Sequence, residues 1–386
     1  MGLERYNLIY LDNHSTTPVD KRVLKKMLPY FSIKYNNPHS QITSHNKNII
    51  KEINIARSNI AKLIGAEKDE IIFTSGATES NNLAIKGLKN QILRGRNHFI
   101  TLNTEHKCIL EALRKLEIEG ANVSILKVMK NGLIDVNQIE KSITKKTLLV
   151  SVMMANNETG VIQPIKKITE ICKKNNILFH TDAAQAVGKI NINVKKMNID
   201  LMSISAHKFY GPKGIGALYI RKYPRIRLNP IIDGGGQEIN IRSGTLPVPL
   251  CIGFGEASKI AKKSLEKESL KTKELRDYFL SILKKNLKGI KVNGDLKKRL
   301  PSNINIYIPD IISSEKLIKK LKYTVISSGS ACTSSDVEAS YVLTGMGLND
   351  EIVKCSVRIG IGRFNTKKEI NKALKDILEA VNKIKS

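Results

Sequence analysis

The chain has 386 residues, 41% apolar and 26% charged, which suits a globular protein large enough for more than one compact lobe. Its formal charge of +29 comes from lysines scattered along the whole chain; with no basic tail, no Trp and no aromatic–basic stripe, the pattern argues against dedicated nucleic-acid binding. No apolar run reaches the length of a membrane span and the start lacks a secretory pattern. Five cysteines without a CxxC pair argue against a disulfide framework or a structural zinc, so a cytoplasmic protein with reduced thiols is expected.

Taken in chain order, Leu8 to Leu11 is strand-like. Glu70 to Thr74 reads as a buried strand, followed by the small-residue turn Ser75-Gly76-Ala77-Thr78 and a helix over Glu79 to Leu88. A turn of this kind presents backbone N–H groups and the positive end of a helix dipole, which is a place for phosphate, although an ordinary capping turn would look the same. Further strands are expected at His98 to Thr101, Leu148 to Met153, Ile177 to His180, Asp200 to Ser205 and Gly216 to Ile220. A helix from Pro164 to Lys174 lies between two of them. The alternation implies an α/β sheet with helical crossovers, whose functional loops follow the carboxyl ends of the strands.

After about Gly255 the texture changes. A charged helix over Glu256 to Lys288 carries the apolar stripe Leu275, Phe279, Ile282 and Leu283. Asn303 to Ile308 and Thr324 to Ser327 are short strand candidates, and the chain ends in a Lys-rich helix. We expect a large domain over residues 17–258. A smaller α+β domain is expected from residues 1–16 and 259–386.

Three segments carry chemistry. In Ser203-Ile204-Ser205-Ala206-His207-Lys208-Phe209-Tyr210-Gly211-Pro212, a lysine follows a buried strand. That is where a Schiff-base amine would stand, although most lysines are simply surface residues. In Phe179-His180-Thr181-Asp182-Ala183-Ala184-Gln185, a carboxylate ends an apolar strand. Burying it is costly, and a pyridoxal ring would supply a reason, because its pyridinium nitrogen needs an acidic partner; a helix cap is the plainer alternative. Gln185 would donate to the ring's phenolate oxygen if the turn projects both side chains the same way. Finally, Cys332 lies in Ser327 to Ser335, whose small polar residues suit an exposed loop holding a reactive thiolate. Cys172 and Cys251 read as buried structural thiols, and Cys355, near Arg358, is the one competitor.

Through these segments the sequence resembles the class V aminotransferase group. Within it, the match is to the cysteine desulfurases of the bacterial and mitochondrial iron–sulfur assembly type. The resemblance runs from Leu11-Asp12 to Gly362-Arg363-Phe364. It is most specific at Thr74 to Asn82, Thr104 to Lys107, Asn156-Asn157-Glu158, the Asp182 and Lys208 segments, Gly234 to Glu238, Arg242 to Thr245 and Ser327 to Ser334. It implies a PLP-dependent aminotransferase-like large domain with a mixed, mainly parallel sheet, and the smaller domain carrying the cysteine loop.

The resemblance also implies roles for individual residues. Lys208 would hold pyridoxal 5'-phosphate covalently, with Asp182 on the pyridinium nitrogen, Gln185 on the phenolate oxygen, and His106 stacked on the ring and taking part in proton transfer. Ala77, Thr78, Ser205 and His207 would cradle the phosphate, joined by Thr245 from the other subunit of a homodimer. Asn157, beside the cofactor, and Arg358 would bind the carboxylate of L-cysteine, a task that suits a planar guanidinium. Cys332 would take the substrate sulfur as a persulfide and release L-alanine. It is also a candidate transient ligand of an iron–sulfur cluster.

The sulfur would then go to an iron–sulfur scaffold protein and, as a further acceptor route, to tRNA thiolation. Three features depart from the family pattern. His14 and Ser15 stand where small residues are usual, Ala339 replaces a Pro, and Ser386 comes soon after the last helix, where relatives carry a further tail that docks the scaffold protein. The alternatives are a selenocysteine lyase or a sulfur-relay protein acting mainly on tRNA.

Overall fold

A computed structural model describes residues 8–38, 44–328 and 339–385, with the side chains of 44–46 excepted. β1 (Ile9–Tyr10) opens the described chain. It is followed by β2 (Ile71–Thr74), β3 (His98–Leu102), β4 (Asn122–Leu126), β5 (Thr147–Ser151), β6 (Leu178–Asp182), β7 (Leu201–Ser205) and β8 (Gly216–Ile220). Strands β2 to β8 form one seven-stranded sheet in the order β2-β8-β7-β6-β5-β3-β4. The strands from β7 through β4 run parallel, and β8 lies antiparallel to both β7 and β2. The sheet is therefore mixed and mainly parallel.

Helices cover both faces, which explains why the strands read as continuous apolar runs. Alternate residues enter two different cores, as the two-residue period of a strand requires. Ile71 and Phe73 of β2, Ile100 of β3, Val150 of β5 and Met202 of β7 face the larger core, where Ile60, Phe179 and Phe254 are buried. Ile72, Phe99, Leu149 and Leu201, their immediate neighbours, face a second core with Leu83 and Leu113; Leu148, the extra residue at a bulge in β5, joins it and breaks the alternation there.

The remaining strands are β9 (Lys291–Val292), β10 (Asn303–Tyr307), β11 (Thr324–Val325) and β12 (Ser356–Gly360). β10 pairs antiparallel with β9 and β12, and β11 pairs parallel with β1. They share a third core containing Leu11, Phe279, Leu283, Ile306, Val357 and Val381. The first described strand thus packs with the end of the chain.

One helix spans Val248–Asn286 without a break, so the boundary expected at residues 258/259 falls inside it. It also begins earlier than the helix expected from Glu256. Cys251, Phe254 and Ile260 of its first half belong to the larger core, while Leu275, Phe279 and Leu283 of its second half belong to the third. At about 1.5 Å per residue this is a rod roughly 58 Å long, and it ties the two lobes together. Arg363 adds an ionic tie across them. Its guanidinium pairs with Asp20 at 2.8 Å and with Glu268 of the long helix at 2.8 Å, and lies 4.1 Å from the centroid of the Tyr210 ring. No helix among the described residues is long and apolar enough to cross a membrane.

Candidate active site

The carboxyl ends of β2, β3, β5, β6 and β7 open on one cavity of about 360 Å³. This is where a parallel sheet places ligands, because the loops diverge there and helix N-termini converge. Each strand delivers a part of the wall. β2 leads through Ser75 and Gly76 into the helix Ala77–Lys86, so Ala77 and Thr78 line the cavity at a helix N-terminus. The turn fits because Gly216 of β8 has no side chain; a Cβ there would come within 2.7 Å of the Gly76 Cα. From β7 come Ser205, His207 and Lys208, and the loop after β5 brings Met153 and Asn157.

Asp182 ends β6 and is only 5% exposed. Its two oxygens accept from Asn81 Nδ2 at 2.7 Å and from the Ala184 backbone N–H at 2.9 Å, so the carboxylate is held in one orientation. Two residues upstream, His180 bridges neighbouring strands. Its ring nitrogens lie 2.8 Å from Ser151 Oγ on β5 and 3.1 Å from Ser203 Oγ on β7. Complete burial pushes His180 down to about 3, so it is neutral.

Lys208 donates to the carbonyls of His14 at 2.8 Å and Ser15 at 2.7 Å. His207 lies 3.0 Å from Thr16 Oγ1, and burial, together with Lys208, Lys213 and Lys189, holds it down to about 4. His106 caps the helix Lys107–Ile118, its Nδ1 accepting the Cys108 N–H at 3.2 Å. Burial lowers His106, against the opposing pull of Asp182. Beside it, the wholly buried Glu105 is raised well above its ordinary range, by burial first and then by the Asp182 charge. One of its oxygens accepts the Met153 N–H at 2.7 Å.

Arg358 on β12 reaches the cavity from the other lobe and is 3% exposed. It donates to the Asn157 carbonyl at 2.9 Å, to Asp12 Oδ1 at 2.9 Å and to Ser15 Oγ at 2.6 Å. Its Nε and the Asn157 Oδ1 are buried without a hydrogen-bond partner. Unpaired polar atoms of this kind are rare in native interiors and fit a polar ligand with both donors and acceptors.

Ten of the expected site residues therefore line one cavity: Ala77, Thr78, His106, Asn157, Asp182, Gln185, Ser205, His207, Lys208 and Arg358. Two do not. Thr245 is exposed and stands outside the cavity wall of its own chain. Cys332, the expected sulfur carrier and candidate cluster ligand, lies outside the described residues. Gln185 is more occupied than expected, because His14 and Lys189 hold its amide. Cys355, the competing thiol, is packed in the third core with Val357, and burial raises its pKa, both of which disfavour a reactive thiolate there. Cys172 and Cys251 are buried as expected.

Cys108, overlooked in the sequence, lines the cavity 3.0 Å from His106 Nδ1. Burial raises it to about 12, leaving a neutral thiol. Its position two residues after His106 was the available signal. Among the described residues, no cluster of His, Cys, Asp and Glu could hold a metal ion.

The chemistry of the wall fits pyridoxal phosphate. An oriented buried carboxylate faces a cavity that also contains a lysine amine, a helix N-terminus with hydroxyl and imidazole groups beside it, and the ring of His106. Comparison with known proteins agrees. The aminotransferase class-V family model matches residues 9–373. The chain is 51% identical to a protein of Ehrlichia chaffeensis named cysteine desulfurase IscS, over 98% of this chain and 92% of that one. It is 50% identical to the protein of that name in Rickettsia bellii, over the same shares of 98% and 92%. Among solved structures, a NifS-like protein superimposes with a TM-score of 0.90 at 35% identity, covering 97% of this chain and 99% of its own. SspA in complex with cysteine gives 0.81 at 37% identity, covering 92% and 99%.

The neutral His180 has a consequence for folding. An unfolded chain protonates this histidine near its ordinary 6.5, whereas the folded one resists until about 3. Its contribution to stability is complete above pH 6.5 and declines as pH falls toward 3. Urea denaturation should show a loss of about 2 kcal/mol between pH 7.5 and 5.0 from this group. A His180→Gln variant should show a correspondingly shallower dependence; equal slopes in parent and variant would contradict the burial argument.

Proposed function

The chain belongs to the aminotransferase class-V family, and from that premise we propose that it is a cysteine desulfurase. It takes sulfur from L-cysteine, releases L-alanine and supplies the sulfur for iron–sulfur cluster assembly, working in the cytoplasm. The observation that carries this reading is the meeting of Asp182, Lys208 and His106 with Asn157 and Arg358 in one cavity between the lobes. Selenocysteine and tRNA acceptors have no comparable support.

In this reading Lys208 would attach pyridoxal 5'-phosphate, Asp182 would pair with its ring nitrogen, Gln185 with its ring oxygen, and His106 would lie against its face. Ala77, Thr78, Ser205 and His207 would hold the phosphate, with Thr245 supplied by the other subunit. When bound, the cofactor supplies an electron sink for the pair released at the substrate's α-carbon. The chain's own residues do the rest. Arg358 and Asn157 fix the substrate carboxylate by a planar fork and an amide. The Lys208 amine would be placed to move the α-proton.

Cys332 thiolate attacks the substrate sulfur, forming an S–S bond as the Cβ–S bond breaks. The pair from that bond stays with carbon, which takes a proton and becomes the methyl group of alanine. Sulfur is oxidised to the persulfide level as carbon is reduced, so no outside oxidant is needed. A neutral Cys108 cannot substitute for Cys332, because the thiolate is the nucleophile.

A homodimer completes the site in this proposal. It is supported by Leu28, Phe31, Ile33 and Tyr35, large side chains left exposed on one stretch of the chain, and by the exposed Thr245. Apolar surface of this kind usually marks an interface.

The direct test is turnover of cysteine by the purified holoenzyme, measuring alanine and protein-bound persulfide. Cys332→Ser should keep the bound cofactor and its spectral response to cysteine, yet lose at least about a hundredfold in persulfide-dependent sulfide release, as expected when a nucleophile is removed. Parent-level turnover in that variant would refute the assignment. Subunit sharing is tested by mixing two inactive variants, Lys208→Ala and Thr245→Ala. Heterodimers contain one intact site and should recover part of the parent activity; proven heterodimers without activity would refute sharing.

A further inference from the structure

His14 stands where the sequence departs from the family pattern, and the function above leaves it unused. Its side chain is 1% exposed, and its ring Nδ1 lies 3.0 Å from Gln185 Oε1. The same amide oxygen accepts Lys189 Nζ at 3.0 Å. On its other side Gln185 Nε2 donates to the His14 carbonyl at 2.8 Å, and that carbonyl also takes Lys208 Nζ at 2.8 Å. Gln185, His14, Lys189 and Lys208 are thereby joined in one hydrogen-bond network beside the cavity.

The donors and acceptors allow one arrangement. A backbone carbonyl can only accept, so the Gln185 nitrogen must face His14 O. Flipping the amide would set two oxygens against each other and aim its NH2 group at the Lys189 amine. The Gln185 oxygen, fixed in this way, has no proton to give, so His14 must carry its proton on Nδ1. The rest of the surroundings keep the ring singly protonated. Burial disfavours the imidazolium first, then Lys189 and Arg358, although burial also pushes Lys189 itself well below its ordinary range; only Gln185 and the Ser302 carbonyl act the other way, and His14 falls well below its ordinary range. The ring cannot swing away, because β12 presses on it: a Cβ on Gly360 would come within 2.7 Å of the His14 Cδ2. The Nε2 atom is enclosed and makes no hydrogen bond of acceptable geometry, the Ser302 carbonyl acting on the ring only as a nearby acceptor.

We propose that His14 is a positioning residue that, through its Nδ1–H and with Lys189, locks the Gln185 amide so that this side chain presents an N–H, never its oxygen, to the ring oxygen of the cofactor. The inference rests on the cofactor reading of the cavity. It adds a specific cause, absent from a small side chain at position 14, for how firmly that ring oxygen is held. An N–H on a ring oxygen stabilises the deprotonated chromophore, so loosening the amide raises the pH at which the chromophore titrates.

The experiment is an absorbance titration of the holoenzyme in the parent, His14→Ala and His14→Asn. Asparagine places an amide N–H about where Nδ1 stands and lacks any counterpart of Nε2. His14→Ala should raise the apparent chromophore pKa by about half to one unit, the size of one net hydrogen bond. It should lower kcat several-fold with little change in KM for cysteine. His14→Asn should restore most of the shift. No shift in His14→Ala, or an equal shift in both variants, overturns the proposal.

A second measurement needs neither cofactor nor a stable Ala variant. Nitrogen-15 histidine spectra of the cofactor-free parent, with the His14 signals assigned by their loss in His14→Asn, should show a protonated Nδ1 and a bare Nε2 unchanged from pH 6 to 8. The opposite tautomer, or titration within that range, also overturns it. A parent that takes up no cofactor would instead count against the reading of the cavity, and the tautomer would still decide the role of His14.

Discussion

A carboxylate at the buried end of a parallel strand is the constraint on which this site turns. Asp182 is 5% exposed and closes β6 in the middle of a seven-stranded sheet. Leaving such a group unpaired in the interior would cost several kcal/mol. The fold meets that cost with two N–H donors, one from Asn81 on the helix after β2 and one from Ala184 in the following turn. The carboxylate's field reaches outward as well. It opposes the effect of burial on His106, and it adds to the effect of burial on Glu105 and Cys108. One carboxylate, fixed in place, thereby modulates three neighbours whose shifts burial mainly decides.

The second requirement is that two lobes meet at the cavity. Asp182 and Lys208 come from the large sheet, whereas Arg358 comes from β12 of the smaller lobe. Asp12 and Ser15, in the segment that runs from β1 toward the large sheet, take the Arg358 guanidinium between them. The continuous helix Val248–Asn286 and the Arg363 ion pairs keep these parts in register. Geometry of this kind matters because a carboxylate-binding fork misplaced by an ångström would misdirect every later step.

Much of this was legible in the sequence, and the reasons are physical. β2, β3, β7 and β8 announce themselves because a strand buried on both faces must be apolar throughout. Lys208, Asp182 and the Ser75–Thr78 turn could be picked out because each is a polar or small-residue interruption at the end of such a strand. β4 escaped notice, since this edge strand has no buried residue and so no apolar signature. The helix Ser44–Ile64 was also missed, although Ile49, Ile53, Ala56, Ile60 and Ile64 repeat at helical spacing; its many Lys and Asn residues dilute the stripe. The roles of Asn81 and Lys189 were out of reach for a different reason. Each depends on a partner far along the chain or on a buried hydrogen bond whose direction only the fold decides. His14 could be flagged as unusual, but its attachment to Gln185 could not be foreseen.

The central claim is that the cavity beside Asp182 holds pyridoxal phosphate on Lys208. Borohydride reduction of the cofactor-loaded protein, followed by peptide mapping, tests it most directly. A single stable adduct is expected on the peptide containing Lys208, in an amount matching the bound cofactor. An adduct on Lys213, which also lines the cavity, or on the buried Lys189, or no covalent adduct despite full loading, would contradict it.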